Sequence, residues 1–311
     1  MKKKVLISAP YFQPVVENYK SIFNSHNIEL IIPKVNERLE EDDLLNLIED
    51  IEGVICGDDR FTEDVLHRAK NLKVISKWGT GIDSIDKEVC NRLGIKVFNT
   101  PNAFTEPVAD SVLAFILCFA RNVSWSDNDI KKGIWDKIPG TSLNESKLGI
   151  IGVGNVGKAV AKRAKSFGME IFGNDLVEMP DNFIRESGIK MVAKNDLLSM
   201  ADFISINCDL NSSSFHMIGE NEFSIMKSSS VIINTARGPI IKESALIKAL
   251  SNKQINGAAL DVFEDEPIRK DNPLINMDNV ILSPHNSNSS PKAWERVHLN
   301  TINNLIEGLN N

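Results

Sequence analysis

An α/β fold of two doubly wound parallel sheets is what this sequence predicts, and three observations predict it. Short apolar runs alternate with helical patterns along nearly the whole chain, and such alternation implies parallel pairing through right-handed crossovers. Partway along, the run Lys147 to Ile151 feeds into a glycine triplet and then a helical pattern, which opens a second series. The length of 311 residues suits two domains at a prior of about 150 residues each.

In the first series, Val5 to Ser8, Ile28 to Ile32, Gly53 to Cys56, Leu72 to Ser76 and Ile95 to Phe98 read as strands. Between them Glu40 to Ile51 is the clearest helix, with Leu44, Leu45, Leu47, Ile48 and Ile51 on one side and acids on the other. The fourth strand runs into Lys77-Trp-Gly-Thr-Gly-Ile-Asp83, where Gly79, Thr80 and Gly81 stand at the carboxyl end of a strand, the place where open α/β sheets bind ligands. On this stretch alone a ligand turn and a structural turn are equally good readings. Asn99-Thr-Pro-Asn102 is a turn, and a helix follows from Thr105 to Arg121. That helix is apolar on most sides, so it is expected to be buried all round, at a domain junction and at the interface of a homodimer.

Residues 123–146, with Trp125 and Trp135, read as loop-rich. The second series then has strands beginning near Leu148 and Met169, followed by Ala201 to Asn207, Ser230 to Asn234, Ile255 to Leu260 and Val280 to Leu282, a six-stranded sheet. The last pattern, Pro291 to Leu309, is a helix with Ala293, Val297, Ile302, Leu305, Ile306 and Leu309 apolar. It is expected to return to the first domain. The expected division is therefore 1–100 with 287–311 as one domain and 101–286 as an insertion.

Composition narrows the class. An apolar share of 42% with 25% charged residues is ordinary for a globular protein. A net charge of −7, with no basic arm beyond Lys2-Lys3-Lys4, argues against nucleic acid or an anionic membrane as partner. Val5-Leu-Ile7 is too short for an export segment, and the longest apolar stretch, Val112 to Ala120, is well below the roughly 18 residues of a membrane span. A cytoplasmic protein is expected. Cys56, Cys90, Cys118 and Cys208 are scattered without a C-x-x-C pair and read as reduced thiols. No grouping has metal-ligand spacing.

Gly152, Gly154 and Gly157 occupy the three places of G-x-G-x-x-G, between a strand and a helix carrying Val156, Val160, Ala161 and Ala164. The first glycine permits a tight turn, the second a close approach of backbone to pyrophosphate, and the third close packing of helix on strand. A second apolar run from Met169 ends in Asp175, 18 positions beyond Gly157, against about 20 expected for the acid that takes the ribose hydroxyls. Strand, turn, helix, strand and acid in this order predict a Rossmann domain that binds NAD.

Three further segments end strands of the second series: Asn234-Thr-Ala-Arg-Gly238, Ala259 to Pro267 with the core Asp261-Val-Phe-Glu-Asp-Glu-Pro, and Leu282-Ser-Pro-His285. With the glycine turn and the Trp78 to Asp83 stretch they resemble the D-2-hydroxyacid dehydrogenase family, most closely its phosphoglycerate-dehydrogenase-like branch. The resemblance runs from about Gly53 to the C-terminus. It implies an NAD-binding Rossmann domain inserted in a flavodoxin-like substrate domain, and an enzyme that interconverts a D-2-hydroxy acid and its 2-keto acid by hydride transfer across the cleft between domains. It implies a catalytic set of Arg237, Glu266 and His285. The cofactor is expected against Gly152, Gly154, Asn155, Val156, Gly157, Asp175, Cys208, Thr235, Ala236, Arg237, Asp261 and His285, with Asp261 near the nicotinamide. Substrate contacts fall on Gly79, Thr80, Gly81, Arg237 and His285.

The residue types suit that chemistry. A guanidinium matches a carboxylate in two-pronged fashion, and an imidazole is a proton donor fitted to neutral pH. Glu266 beside His285 is expected to favour the protonated ring and raise its pKa. Singly, Arg237 could be a phosphate contact, Glu266 a turn acid and His285 an ordinary loop residue; their joint placement favours the catalytic reading. His26, His67, His216 and His298 lack such settings and read as structural or solvent-facing.

The sequence also departs from the family. Asn286 to Ser290 stand where glycine or small apolar residues are usual, and Asn207-Cys-Asp-Leu210 replaces a proline-containing turn beside the cofactor. Cys56, Gly57 and Asp58 stand where phosphoglycerate dehydrogenases carry phosphate-gripping arginines, with Arg60 out of register. D-3-phosphoglycerate therefore competes with smaller acids such as glycerate or hydroxypyruvate as the substrate. A regulatory C-terminal domain of some relatives is expected to be absent. A second reading stays open, a corepressor-like NAD-binding regulator on the same fold, because a nucleotide site alone does not prove turnover.

Overall fold

The computed structural model describes residues 2–310. The chain divides into two compact units, one of residues up to Phe104 together with those from Ser289 onward, the other of Thr105–Asn288.

In the first unit, β1 (Lys3–Ile7), α1 (Lys20–Ser25), β2 (Ile28–Ile31), α2 (Glu41–Leu47), β3 (Gly53–Cys56), α3 (Glu63–Arg68), β4 (Val74–Lys77), α4 (Lys87–Leu93) and β5 (Lys96–Phe98) follow in order. The strands pair in parallel as β2-β1-β3-β4-β5, the flavodoxin-like order. Val5, Leu6, Ile7, Val54, Ile55 and Ile75 are fully buried in this sheet, which is why its strands read as unbroken apolar runs rather than alternating ones. The helix expected over 40–51 stops at Leu47. Ile48 and Ile51 are buried as predicted, but in a turn, because Glu52 must already lie beside β1 to donate its N–H to the Lys4 carbonyl.

The second unit contains α5 (Thr105–Arg121), α6 (Val123–Lys131), β6 (Lys147–Ile151), α7 (Asn155–Ser166), β7 (Glu170–Asn174), α8 (Asp181–Ser187), β8 (Lys190–Met191), α9 (Lys194–Met200), β9 (Phe203–Ile206), α10 (Glu220–Ile225), β10 (Val231–Asn234), α11 (Glu243–Ser251), β11 (Gly257–Leu260) and β12 (Val280–Leu282). Its sheet has seven strands in the order β12-β11-β10-β9-β6-β7-β8, all parallel. The order reverses between β6 and β9, and ligands bind at the carboxyl ends of strands at such a switch point. The expected six strands miss β8, whose two residues are too few to show a periodicity.

The bounds of α5 fall where its apolar pattern placed them, and within one chain part of its surface is left uncovered. Ala109, Val112 and Ile116 are fully buried, whereas Phe115, Leu117 and Cys118 are half-buried and Asp110 and Ala114 exposed. Its polar edge is held on α7, where Arg163 reaches Glu106 and Asp110 at 2.6 Å each. The stretch 123–146 contains α6, which has no buried residue, so no core-facing stripe announced it. Trp125 on α6 packs against Phe119 with the two rings tilted, and donates its Nε1–H to the Asp278 carbonyl at 2.7 Å.

The last helix, α12 (Pro291–Asn310), packs on β3 and β4 of the first unit. Ser76 donates to the Thr301 carbonyl at 2.8 Å and Trp78 Nε1–H to His298 Nδ1 at 2.9 Å. The division falls at 104/105 and 288/289 rather than at 100/101 and 286/287. Phe104 packs on Trp78, and Ala103 accepts from Arg296, which draws residues 101–104 into the first unit. Ser287 donates its N–H to Asp261 and so stays with the second. Among the described residues no single helix is long and apolar enough to cross a membrane.

Candidate active site

The glycine turn between β6 and α7 shows why each glycine is there. A Cβ on Gly152, which has φ +88°, would lie 2.5 Å from Cys208 N, and one on Gly157 would lie 2.1 Å from the Gly152 carbonyl oxygen. Both positions exclude any side chain because backbone already fills the space. Gly154, the N-cap of α7, is different: a Cβ there would meet nothing within 4 Å. Packing within the chain does not require glycine at 154, whereas a pyrophosphate drawn against the amides of Asn155 and Val156 at the helix start does. Asp175 follows β7, its Oδ2 accepting from Val153 N at 2.6 Å and its Oδ1 from Val177 N at 2.9 Å. Those contacts fix the carboxylate beside the glycine turn. Cys208 closes the turn from the β9 side as a free thiol whose pKa burial pushes up to about 11. At the end of β10 the buried Thr235 Oγ1 has no hydrogen-bond partner among the described residues, a polar atom placed for a ligand. Together these features fit a dinucleotide.

The catalytic candidates gather at the carboxyl ends of β10, β11 and β12. His285 Nδ1 lies 2.9 Å from Glu266 Oε2, with both side chains largely buried at 22% and 18% exposure. Glu266 Oε1 accepts from Phe263 N at 3.0 Å, so one oxygen anchors the carboxylate and the other faces the ring. His285 itself has φ +50°, a left-handed conformation costing about 1–3 kcal/mol for a non-glycine residue. Asp261 offsets that cost. Its carbonyl accepts from His285 N at 2.8 Å, and its buried carboxylate accepts from Asn286 N at 2.8 Å and Ser287 N at 2.9 Å. The resemblance implied a place near the nicotinamide; the contacts here are those of a staple holding the His285 loop.

Arg237 caps the short 3-10 helix Gly238–Ile240, and its Nη1 donates to the Ala236 carbonyl at 2.9 Å. Asn234, buried, clasps this turn by accepting from Ala236 N at 3.1 Å and donating Nδ2–H to the Arg237 carbonyl at 2.9 Å. The sequence carried a signal for this positioning residue, since an asparagine accepting from the amide two residues on is an Asx turn. A Cβ on Gly238 would lie 1.9 Å from the Phe263 carbonyl carbon, so the Arg237 turn is pressed directly on the loop that carries Glu266.

In the first unit, the turn after β4 is tied to the one after β5. Gly79 O accepts from Thr100 N and Thr100 Oγ1 at 2.9 Å each, Thr80 Oγ1 donates to Thr100 O at 3.1 Å, and Thr80 O accepts from Asn99 Nδ2 at 2.6 Å. Gly81 belongs to the same turn. Of the remaining histidines, His26 is exposed and His67 lies 3.5 Å from Glu63 on the surface. His298 is buried, and burial lowers its pKa, consistent with a neutral ring accepting from Trp78. His216 Nε2 lies 2.7 Å from Glu264 Oε1, on the same loop as Glu266. No group of metal-ligating side chains occurs among the described residues.

Fold and site together define a nicotinamide-dependent oxidoreductase. The sequence profile for the D-isomer specific 2-hydroxyacid dehydrogenase, NAD binding domain, matches residues 113–287. A D-3-phosphoglycerate dehydrogenase of Methanocaldococcus jannaschii is 40% identical over 82% of this chain, and the match spans only 49% of that relative's length. A glyoxylate reductase of Thermococcus litoralis is 36% identical over 98% of this chain and 93% of its own. The crystal structure of a D-lactate dehydrogenase from Aquifex aeolicus, complexed with NAD and lactic acid, is 28% identical with a TM-score of 0.88, covering 97% of this chain and 93% of that one. The chain belongs to the D-isomer specific 2-hydroxyacid dehydrogenases, and its cofactor is NAD.

Proposed function

We propose that this chain reduces a small, unphosphorylated 2-keto acid, of the glyoxylate or hydroxypyruvate kind, to the D-2-hydroxy acid, and runs the reverse oxidation. The observation that carries the reading is the 2.9 Å contact of Glu266 with His285, on a loop against which the Arg237 turn is packed. Bound NADH supplies the hydride. Arg237 grips the substrate carboxylate with two parallel N–H donors. Glu266 faces Nδ1 of His285, so the proton that goes to the carbonyl oxygen as it becomes an alkoxide leaves from Nε2. In oxidation Nε2 takes the hydroxyl proton back.

Support for an unphosphorylated tail comes from the end of β3. Asp58 is paired with the buried Lys77 at 2.7 Å, and Arg60 lies 3.8 Å from Glu40. Lys77 is thus already matched by a carboxylate, and Arg60 has Glu40 beside it. The similarity to a glyoxylate reductase over nearly the full length agrees. The amides of Gly79, Thr80 and Gly81 are proposed as further donors to the substrate, the carbonyls of Gly79 and Thr80 being taken by the neighbouring turn. The test is NADH oxidation against a panel of 2-keto acids with phosphorylated members. Turnover of glyoxylate or hydroxypyruvate is expected, and faster turnover of a phosphorylated acid would overturn the assignment. No turnover with any member would favour an NAD-binding regulator.

NAD is expected over NADP. The Asp175 carboxylate is fixed beside the glycine turn, and Leu176 and Val177 bring no cation to offset its repulsion of a 2′-phosphate. Asp175→Ala should narrow the preference; tighter NADP than NAD binding by the unmodified protein would reverse it. A homodimer is also proposed, built on α5, α6 and the loop after them, where Val123, Ile130, Ile134 and Trp135 are exposed at 53%, 52%, 41% and 87%. Light scattering should give twice the chain mass at micromolar concentration, and a monomer mass would remove the proposal.

A further inference from the structure

The loop from Asp261 to Pro267 carries two glutamates, and each faces a histidine from a different element. Glu266 meets His285, as described. Glu264 Oε1 lies 2.7 Å from His216 Nε2 and also accepts from Glu243 N, at the start of α11, at 3.0 Å. Glu243 returns the contact, its Oε2 accepting from Glu264 N at 3.4 Å while its Oε1 takes Asn272 Nδ2 at 2.6 Å.

His216 reaches a second catalytic loop through its backbone. Its N–H donates to the Pro239 carbonyl at 2.8 Å, two residues beyond Arg237. Two more backbone bonds lace the same strip, Ile218 N to Ile240 O at 3.2 Å and Lys242 N to Ile218 O at 2.9 Å. The residue is itself held in an unusual conformation, φ +50°, with the Phe215 ring stacked on the imidazole at 4.0 Å. A left-handed conformation at a histidine costs free energy, and it persists here because the backbone contact to Pro239 and the ring contact to Glu264 both depend on it. The other charged groups at this junction are Glu243, the Lys242–Glu220 pair, and Lys194, which is paired with Glu222 and donates to the Met217 carbonyl.

We infer that His216 is a positioning residue for the reaction proposed above: by joining the Arg237 turn to the Glu264–Glu266 loop it holds Glu266 on His285. The inference rests on that reading of the function. Gly238 brings the two backbones into contact but sets only their closest approach; the outer end of the loop is tied by Glu243 towards α11 and by the His216 ring towards the Arg237 turn, and the latter tie opposes tilting away from that turn. Tilting would lengthen the Glu266 to His285 contact and weaken the preference for a protonated ring, without removing any group that touches substrate.

His216→Ala should therefore lower kcat roughly tenfold, a misplacement of about 1 Å being enough for losses up to ~10²-fold. KM for the keto acid should change little, because Asn234 clasps Arg237 independently. The pH midpoint of kcat/KM for reduction should move to lower pH. His216→Gln, whose amide N–H can reach Oε1, should restore most of the rate and the midpoint. Glu264→Gln combined with His216→Ala should add little to the single alanine change, since both cut one link.

Titration of the His285 ring, followed by NMR without substrate, separates this inference from the function it rests on. If the unmodified protein turns over no keto acid, the functional reading falls, while a lower titration midpoint of His285 in His216→Ala still supports the link. If His216→Ala keeps kcat, the pH profile and the His285 titration, losing only thermal stability, His216 is structural and the inference is overturned.

Discussion

Replacing His285 by alanine should cut kcat/KM for keto-acid reduction by about 10²–10⁴-fold, the range expected for loss of a positioned proton donor. NADH affinity should be largely kept, because the glycine turn, Asp175 and α7 belong to a different part of the second unit's sheet edge. The protonated imidazole is the active form in reduction, so kcat/KM should fall as pH rises through the ring's titration, and the oxidation should show the opposite slope. Glu266 Oε2 is 2.9 Å from Nδ1, and a carboxylate charge at that distance is expected to favour the protonated ring. Glu266→Gln keeps a hydrogen-bonding group but not that charge, so the fall should begin at lower pH. A glutamate with only a structural role would leave the midpoint in place and lower stability instead. If His285→Ala retained reduction within a few-fold of the unmodified protein, the proton would have to come from elsewhere, whatever the fold and the cofactor site.

The same contacts explain what could be read from the chain before any coordinates. Buried parallel strands such as Gly53–Cys56 and Val231–Asn234 are continuous apolar runs whose ends are marked by polar residues, so their places along the chain were accessible. Lys190–Met191 and α6 were not, the first being too short and the second having no fully buried residue. Boundaries moved where a contact distant in sequence decided them, as when Phe104 joined Trp78.

The site divides in the same way. Arg237, Glu266 and His285 could be found because each sits in a compact motif at a strand end. The residues that hold them are harder to see: Asp261 works through three backbone amides more than twenty positions away, and His216 through a carboxylate on a distant loop. Such links exist only after the strands have brought their ends together. No local pattern marks His216, because the atoms that fix it, the Pro239 carbonyl and the Glu264 side chain, lie in two other motifs.

The other large effect expected from a single substitution is at Gly238. Its built Cβ would stand 1.9 Å from both the carbonyl carbon and the oxygen of Phe263 and 2.5 Å from Glu264 N. Those are backbone atoms, so no rotamer change relieves the overlap. The Arg237 turn and the Glu266 loop must separate, against the Asn234 clasp on one side and the Glu243 and His216 contacts on the other. Overpacking of this kind typically costs about 1–3 kcal/mol, occasionally more. Gly238→Ala should lower the unfolding transition of the second unit accordingly. Because the displaced backbone carries Arg237 on one side and Glu266 on the other, substrate capture and proton transfer should fail together. We expect KM for the keto acid to rise and kcat to fall, with kcat/KM down by about 10²-fold or more for a shift near 1 Å. Gly154→Ala is the informative control, since its Cβ meets no protein atom within 4 Å. It should leave stability nearly unchanged and weaken NADH binding instead. Measuring melting, NADH affinity and keto-acid kinetics on both variants separates a glycine required by backbone contact from one required by a ligand; equal losses of stability in the two would contradict that distinction.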